Sequence, residues 1–100
     1  MKANMFNKSW WVTETREKEL DRVLKGLLND AGFNVRDEIE CEFRPYGYTK
    51  LWLLSESHLA VHTFPEEGAT YIELSSCNEQ YYINFISEIV RVFHFLKRDE

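Results

Sequence analysis

The chain has 100 residues, 44% of them apolar and 29% charged, with only four Gly and two Pro, which excludes a collagen-like, low-complexity or disordered polypeptide. No apolar run approaches the roughly 20 residues that cross a bilayer. Twelve basic against seventeen acidic residues give a net charge of −5, and the one basic run is the short Lys97-Arg98, so nucleic acid is not an expected partner.

Met1 to Val12 is too polar for a secretory leader, and two cysteines, Cys41 and Cys77, make no disulfide framework. A cytoplasmic home with reduced thiols and no membrane contact follows. Trp10-Trp11-Val12 reads as a short strand. Thr15 is a candidate N-cap for a helix over about residues 16–30, where Leu20, Val23, Leu24, Leu27 and Leu28 share one face and Asp30 and Gly32 supply the stop. Phe33 to Phe43 is extended, with charges that suggest an edge position. Pro45-Tyr46-Gly47 turns the chain. Leu51-Trp52-Leu53-Leu54 is apolar on both faces, so both faces need cover.

In the next strand His58, Ala60, His62 and Phe64 point one way and Leu59, Val61 and Thr63 the other. Pro65-Glu66-Glu67-Gly68 turns into another strand, where Ile72 and Leu74 oppose Tyr71, Glu73, Ser75 and Cys77. Asn78 caps a second helix with Ile83, Ile86, Val90 and Phe93 as its inner stripe. The order β-α-β-β-β-β-α, with no repeat or linker, predicts a single α+β domain over residues 1–100. Its form is a two-layer sandwich, a mostly antiparallel sheet with two helices on one face. Fifteen aromatics are many for so small a core, and the bare sheet face is where a second subunit or a ligand would sit.

Taken singly, the residues of this region are unremarkable: Ser57 reads as a strand-edge hydroxyl, Cys77 and Cys41 as inert thiols, Phe43 as core and Glu66 as a solvated turn carboxylate. His58 and His62 lie four apart on a strand rather than a helix and lack further ligands, so no metal is expected. Together they form a longer pattern: Phe43-Arg44-Pro45-Tyr46-Gly47, then Glu56-Ser57-His58, His62, Thr63-Phe64-Pro65-Glu66, and Cys77 twenty residues after Ser57. This pattern resembles the self-processing region of the S-adenosylmethionine decarboxylase family, the small bacterial and archaeal pyruvoyl-dependent type.

The resemblance implies that the hydroxyl of Ser57 attacks the carbonyl carbon of Glu56 and converts that amide into an ester. The chain then splits into residues 1–56 and 57–100, and Ser57 becomes a pyruvoyl group, the only cofactor, which forms a Schiff base with the substrate and serves as electron sink. His62 matches the histidine that handles the Cα proton during ester breakdown, and Thr49 falls where the family usually has a processing serine. Cys77 matches the proton donor, Phe43 the aromatic stacked on adenine, and Glu66 the carboxylate that accepts from the ribose hydroxyls. The implied activity is decarboxylation of S-adenosylmethionine for spermidine synthesis by a homodimer of processed protomers.

Two alternatives stay open: a pyruvoyl-dependent arginine or ornithine decarboxylase, or an unprocessed interaction subunit. The family's closing strand looks missing or vestigial, and Trp10-Trp11 replaces its usual lead-in. Ser57 and His62 are five residues apart, an odd offset, so in an unbroken strand they face opposite ways. If they cooperate, the chain must bend or end its pairing near Glu56–Ser57.

Overall fold

A computed structural model describes residues 3–97. The elements are β1 (Phe6–Val12), α1 (Glu17–Ala31), β2 (Val35–Glu42), β3 (Tyr48–Leu54), β4 (Ser57–Phe64), a 3-10 turn at Pro65–Glu67, β5 (Ala69–Ser76) and α2 (Glu79–Val92). The strands form one fully antiparallel sheet in the order β1-β5-β4-β3-β2, so neighbours in sequence pair through short turns except where β1 lies against β5. This is the α+β sandwich that the element order predicts.

Alternation along the strands decides which residues meet the helices. Val12, Trp52, Leu54, Leu59, Val61, Ile72 and Leu74 are buried against Leu20, Leu24 and Leu28 of α1 and Phe85 and Ile89 of α2. Burial of each such side chain contributes about 1.5–3 kcal/mol, which makes this layer the main source of stability. Gly32 ends α1 with φ 111°, its N–H donating to Asn29 O at 3.1 Å while the N–H of Phe33 reaches Leu28 O at 3.0 Å. A β-carbon there would come within 2.7 Å of the Tyr81 ring, so both the left-handed turn and the helix approach require glycine.

Two local expectations change. Thr15 does not cap α1: Arg16 holds the N-cap position, and the carboxylate of Glu14 accepts from its backbone N–H (2.9 Å) and from its guanidinium (2.8 Å). The guanidinium holds the Glu14 carboxyl down at about 2. The inner stripe of α2 holds only in part: Ile86 and Phe93 pack against the core, but Phe85 and Ile89 are its buried residues while Ile83 and Val90 are exposed. Phe85 sets this orientation by packing its ring 5.9 Å from Trp10. Asn78 does cap α2, accepting at Oδ1 from the N–H of Tyr81 at 3.0 Å.

Past α2 the chain returns to the sheet edge, where Phe95 bridges Val12 and the N–H of Leu96 donates to Trp11 O at 2.8 Å. On the open face Ile39, Leu51 and Leu53 are 68%, 41% and 54% exposed. The second side of β3 is therefore uncovered in the single chain.

Candidate active site

The β3–β4 hairpin closes at the Leu54–Ser57 pair, leaving Ser55 and Glu56 as a two-residue turn. Glu56 has φ 53° and is the non-glycine residue with left-handed backbone among those described. That conformation crowds its β-carbon against the carbonyl and costs roughly 1–2 kcal/mol. The Glu56–Ser57 peptide joins this strained residue to a fully paired strand.

Ser57 is 5% exposed and faces the helices. Its Oγ donates to Ser76 Oγ, 2.8 Å away on the directly opposed residue of β5. Ser76 is 0% exposed and its Oγ accepts a further bond from the N–H of Asn78 at 3.0 Å. On the next residue, Cys77 Sγ donates to Glu56 Oε1 at 3.4 Å. This hydrogen bond to the carboxylate, with some desolvation added, raises the Cys77 thiol above its ordinary value and keeps it protonated at neutral pH. Glu56, Ser57 and Cys77 therefore gather at one end of the sheet. Ser76 carries no motif signal of its own in the sequence, although equal steps back from the Pro65–Gly68 turn pair it with Ser57.

Near the other end lies a second group, on the open face. Thr49 and His62 are directly paired across β3 and β4, and Thr49 Oγ1 shares a 2.8 Å hydrogen bond with His62 Nδ1. The imidazole stacks on Tyr71, centroids 6.2 Å apart and planes at 23°. Next to this pair the chain turns back: the N–H of Phe43 donates to Gly47 O at 2.8 Å, and Gly47 has φ 101°. A cavity of about 540 Å³ opens here, lined by Glu17, Glu42, Phe43, Tyr46 and Pro65, with the Phe43 ring exposed. Burial and a hydrogen bond to Glu42 push the Glu17 carboxyl up. Glu66 follows Pro65 in the 3-10 turn.

These two groups are not brought together within one chain. β4 stays paired on both flanks from Ser57 onward, so Ser57 and His62 point to opposite faces and stand about 16 Å apart along it. Ser57 and Phe64 are separated by about 23 Å. The turn at Glu56 absorbs the distortion, and the strand remains regular.

A third cluster lies under α1. Lys50, 5% exposed at its side chain, pairs with Asp21, with Glu38 at 2.9 Å and with Glu40 at 3.4 Å, and sits 4.6 Å from the Trp52 ring centroid. Desolvation alone would lower its pKa, but the hydrogen bonds to Asp21 and Glu38 outweigh it and hold the ammonium above the usual lysine value. His58 is exposed on the open face, beside Ile39, Leu51 and Leu53. Among the described residues no three of His, Cys, Asp and Glu are arranged to hold a metal ion, and no helix is long and apolar enough to cross a membrane.

A five-stranded antiparallel sheet with two helices on one face, carrying a strained Glu-Ser junction at a hairpin, is the architecture of a small α+β sandwich domain with its polar groups at the strand ends. The chain belongs to the S-adenosylmethionine decarboxylase family, whose model matches residues 13–97. It is 40% identical over 65 residues to "S-adenosylmethionine decarboxylase proenzyme 2" of Bacillus cereus, an alignment covering 61% of this chain and 53% of that protein. It is 28% identical over 86 residues to the S-adenosylmethionine decarboxylase proenzyme of Pelotomaculum thermopropionicum, covering 82% and 68%. The crystal structure of the adenosylmethionine decarboxylase from Aquifex aeolicus superposes with a TM-score of 0.74 at 19% identity, over 91% of this chain and 81% of that one. The chain spans about half the length of its relatives from Bacillus cereus and Brevibacillus brevis, 53% and 50%.

Proposed function

We propose that this chain cleaves itself between Glu56 and Ser57 and that the resulting pieces, 1–56 and 57–100, decarboxylate S-adenosylmethionine to supply the aminopropyl donor for spermidine. The observation that carries this reading is the Glu56–Ser57 junction, where a left-handed residue precedes a buried serine and the Cys77 thiol touches the Glu56 carboxylate. Ser57 Oγ forms a bond to the Glu56 carbonyl carbon as the C–N bond breaks, and the hydroxyl proton passes to the freed amine. His62 then takes the Cα proton of residue 57 as the Cβ–Oγ bond breaks and the main-chain carboxylate of residue 56, the new C-terminus, leaves; addition of water with loss of ammonia gives the keto cap.

The residues around Ser57 suit a pyruvoyl group: the position is shielded under the sheet and a protonated thiol stands beside the turn. When formed, this group draws off the electron pair left behind by carbon dioxide. Cys77 holds at Sγ the proton that returns to the α-carbon. Phe43 stacks on the adenine at the cavity that it lines with Pro65, and Glu66, the residue after Pro65, accepts from the ribose hydroxyls.

Because Ser57 and the Thr49–His62 pair lie near opposite ends of the sheet, the working site belongs to a homodimer. Two copies meeting through their exposed Ile39, Leu51 and Leu53, strands antiparallel, set the Ser57 end of one beside the His62 end of the other. The free thiols Cys41 and Cys77 suit the cytoplasm.

Intact-mass measurement of purified protein tests the first step: two fragments split at Glu56–Ser57 are expected, and one undivided chain after prolonged incubation overturns it. Carbon dioxide release from carboxyl-labelled S-adenosylmethionine tests the second. Release from labelled arginine or ornithine instead would overturn the substrate assignment.

A further inference from the structure

We infer that Ser76 is a positioning residue for self-cleavage, orienting the Ser57 hydroxyl for attack on Glu56, an inference that rests on the serine-based cleavage proposed above. A serine side chain has three staggered rotamers, and an unactivated hydroxyl attacks only from one that aims a lone pair at the carbonyl carbon. Ser57 Oγ commits its proton to Ser76 Oγ at 2.8 Å, which leaves its lone pairs for the Glu56 carbonyl.

Ser76 is itself held. It is fully buried, lies directly opposite Ser57 in the ladder, and accepts from the backbone N–H of Asn78 at 3.0 Å. Asn78 is the N-cap of α2, so its N–H stands at the positive end of the helix dipole. Hydrogen bonds in such a buried chain polarise one another. The run Asn78 N–H to Ser76 Oγ to Ser57 Oγ therefore anchors the nucleophile to the start of a helix, and a buried hydroxyl at residue 76 has no water to replace these partners. The covalent step is unchanged: the Ser57 proton still ends on the new amine, and Ser76 neither gains nor loses one.

Ser76→Thr and Ser76→Val test this, because both are β-branched, suit a strand and differ in one hydroxyl. Each chain is unfolded, refolded and followed by intact mass for the appearance of the 1–56 and 57–100 fragments, with thermal melting recorded on the same samples. The threonine variant is expected to cleave within about three-fold of the parent and the valine variant about ten-fold more slowly. Ser76→Ala, which introduces no bulk, is expected to match valine and serves if valine fails to fold. Equal rates for threonine and valine, or an alanine variant as fast as the parent, overturn the role of Ser76 while leaving cleavage at Ser57 standing. A parent chain that stays whole overturns both.

Discussion

The left-handed backbone at Glu56 makes a quantitative prediction about bond breakage. Glu56→Ala and Glu56→Gly both remove the carboxylate that accepts from Cys77, so their difference isolates the backbone. At φ 53° alanine keeps a steric cost of about 1 kcal/mol, and glycine has almost none. Glycine also makes the unfolded chain more flexible by a similar amount, so the two variants should melt within a few degrees of each other. If the strain is released as the Glu56 carbonyl goes tetrahedral, the alanine variant retains that drive and the glycine variant loses it. One kcal/mol corresponds to about five-fold in rate. The assay is the time course of fragment formation after refolding, read by intact mass. A glycine variant that cleaves as fast as the alanine variant, or faster, refutes the contribution of strain.

Other predictions concern the thiol, the dimer and the buried ammonium. Glu56→Gln in a Ser57→Ala, Cys41→Ser chain should lower the Cys77 pKa, because the raising carboxylate is gone, and alkylation by iodoacetamide should begin at lower pH; an unmoved or raised profile contradicts the assignment. Refolding Ser57→Ala and His62→Ala chains together should restore cleavage to about half of the His62→Ala chains, those paired with a competent histidine, whereas a site complete within one chain would show none. Lys50→Met should lower the melting temperature by roughly 10 °C at pH 7, since Asp21, Glu38 and Glu40 lose their cation yet keep part of their hydration. Glu38 is held below its ordinary value first by its hydrogen bond to Lys50, so this stabilisation is present above pH 4.5 and lost as pH falls through the lowered pKa. The gap between parent and Lys50→Met should therefore shrink in acid, and a gap unchanged at pH 3 would count against the pairing.

The fold was legible where an element carries a clean period. Leu20, Leu24, Leu27 and Leu28 mark one face of α1, and the alternation from Ser57 to Phe64 separates the two sides of β4. The face of α2 was half legible: Ile86 and Phe93 of the expected stripe do meet the core, but contact with Trp10 turns Phe85 inward, and Ile83 and Val90 are left outside. Lys50 was invisible for a similar reason: its partners come from α1 and from the adjacent strand β2, and nothing local marks a lysine as buried. At the candidate site, the parity of Ser57 and His62 already showed that they part company on a straight strand. The Ser57–Ser76 pairing was also within reach, because the Pro65–Gly68 turn fixes the register. What required three dimensions was the distribution of the motif over both ends of the sheet.

The order of the strands bears on what a severed chain would do. β4 and β5 follow the Glu56–Ser57 bond, yet they lie in the middle of the sheet, flanked by β3 on one side and β1 on the other, both of which precede it. The downstream piece is thus wedged between two arms of the upstream piece, like a tongue in its groove. Dilution cannot part them without tearing two ladders of backbone hydrogen bonds at once. A fresh end at residue 57 would gain freedom at the rim while its strand stayed clamped along both edges, so such a nick would loosen one atom group and leave the scaffold intact.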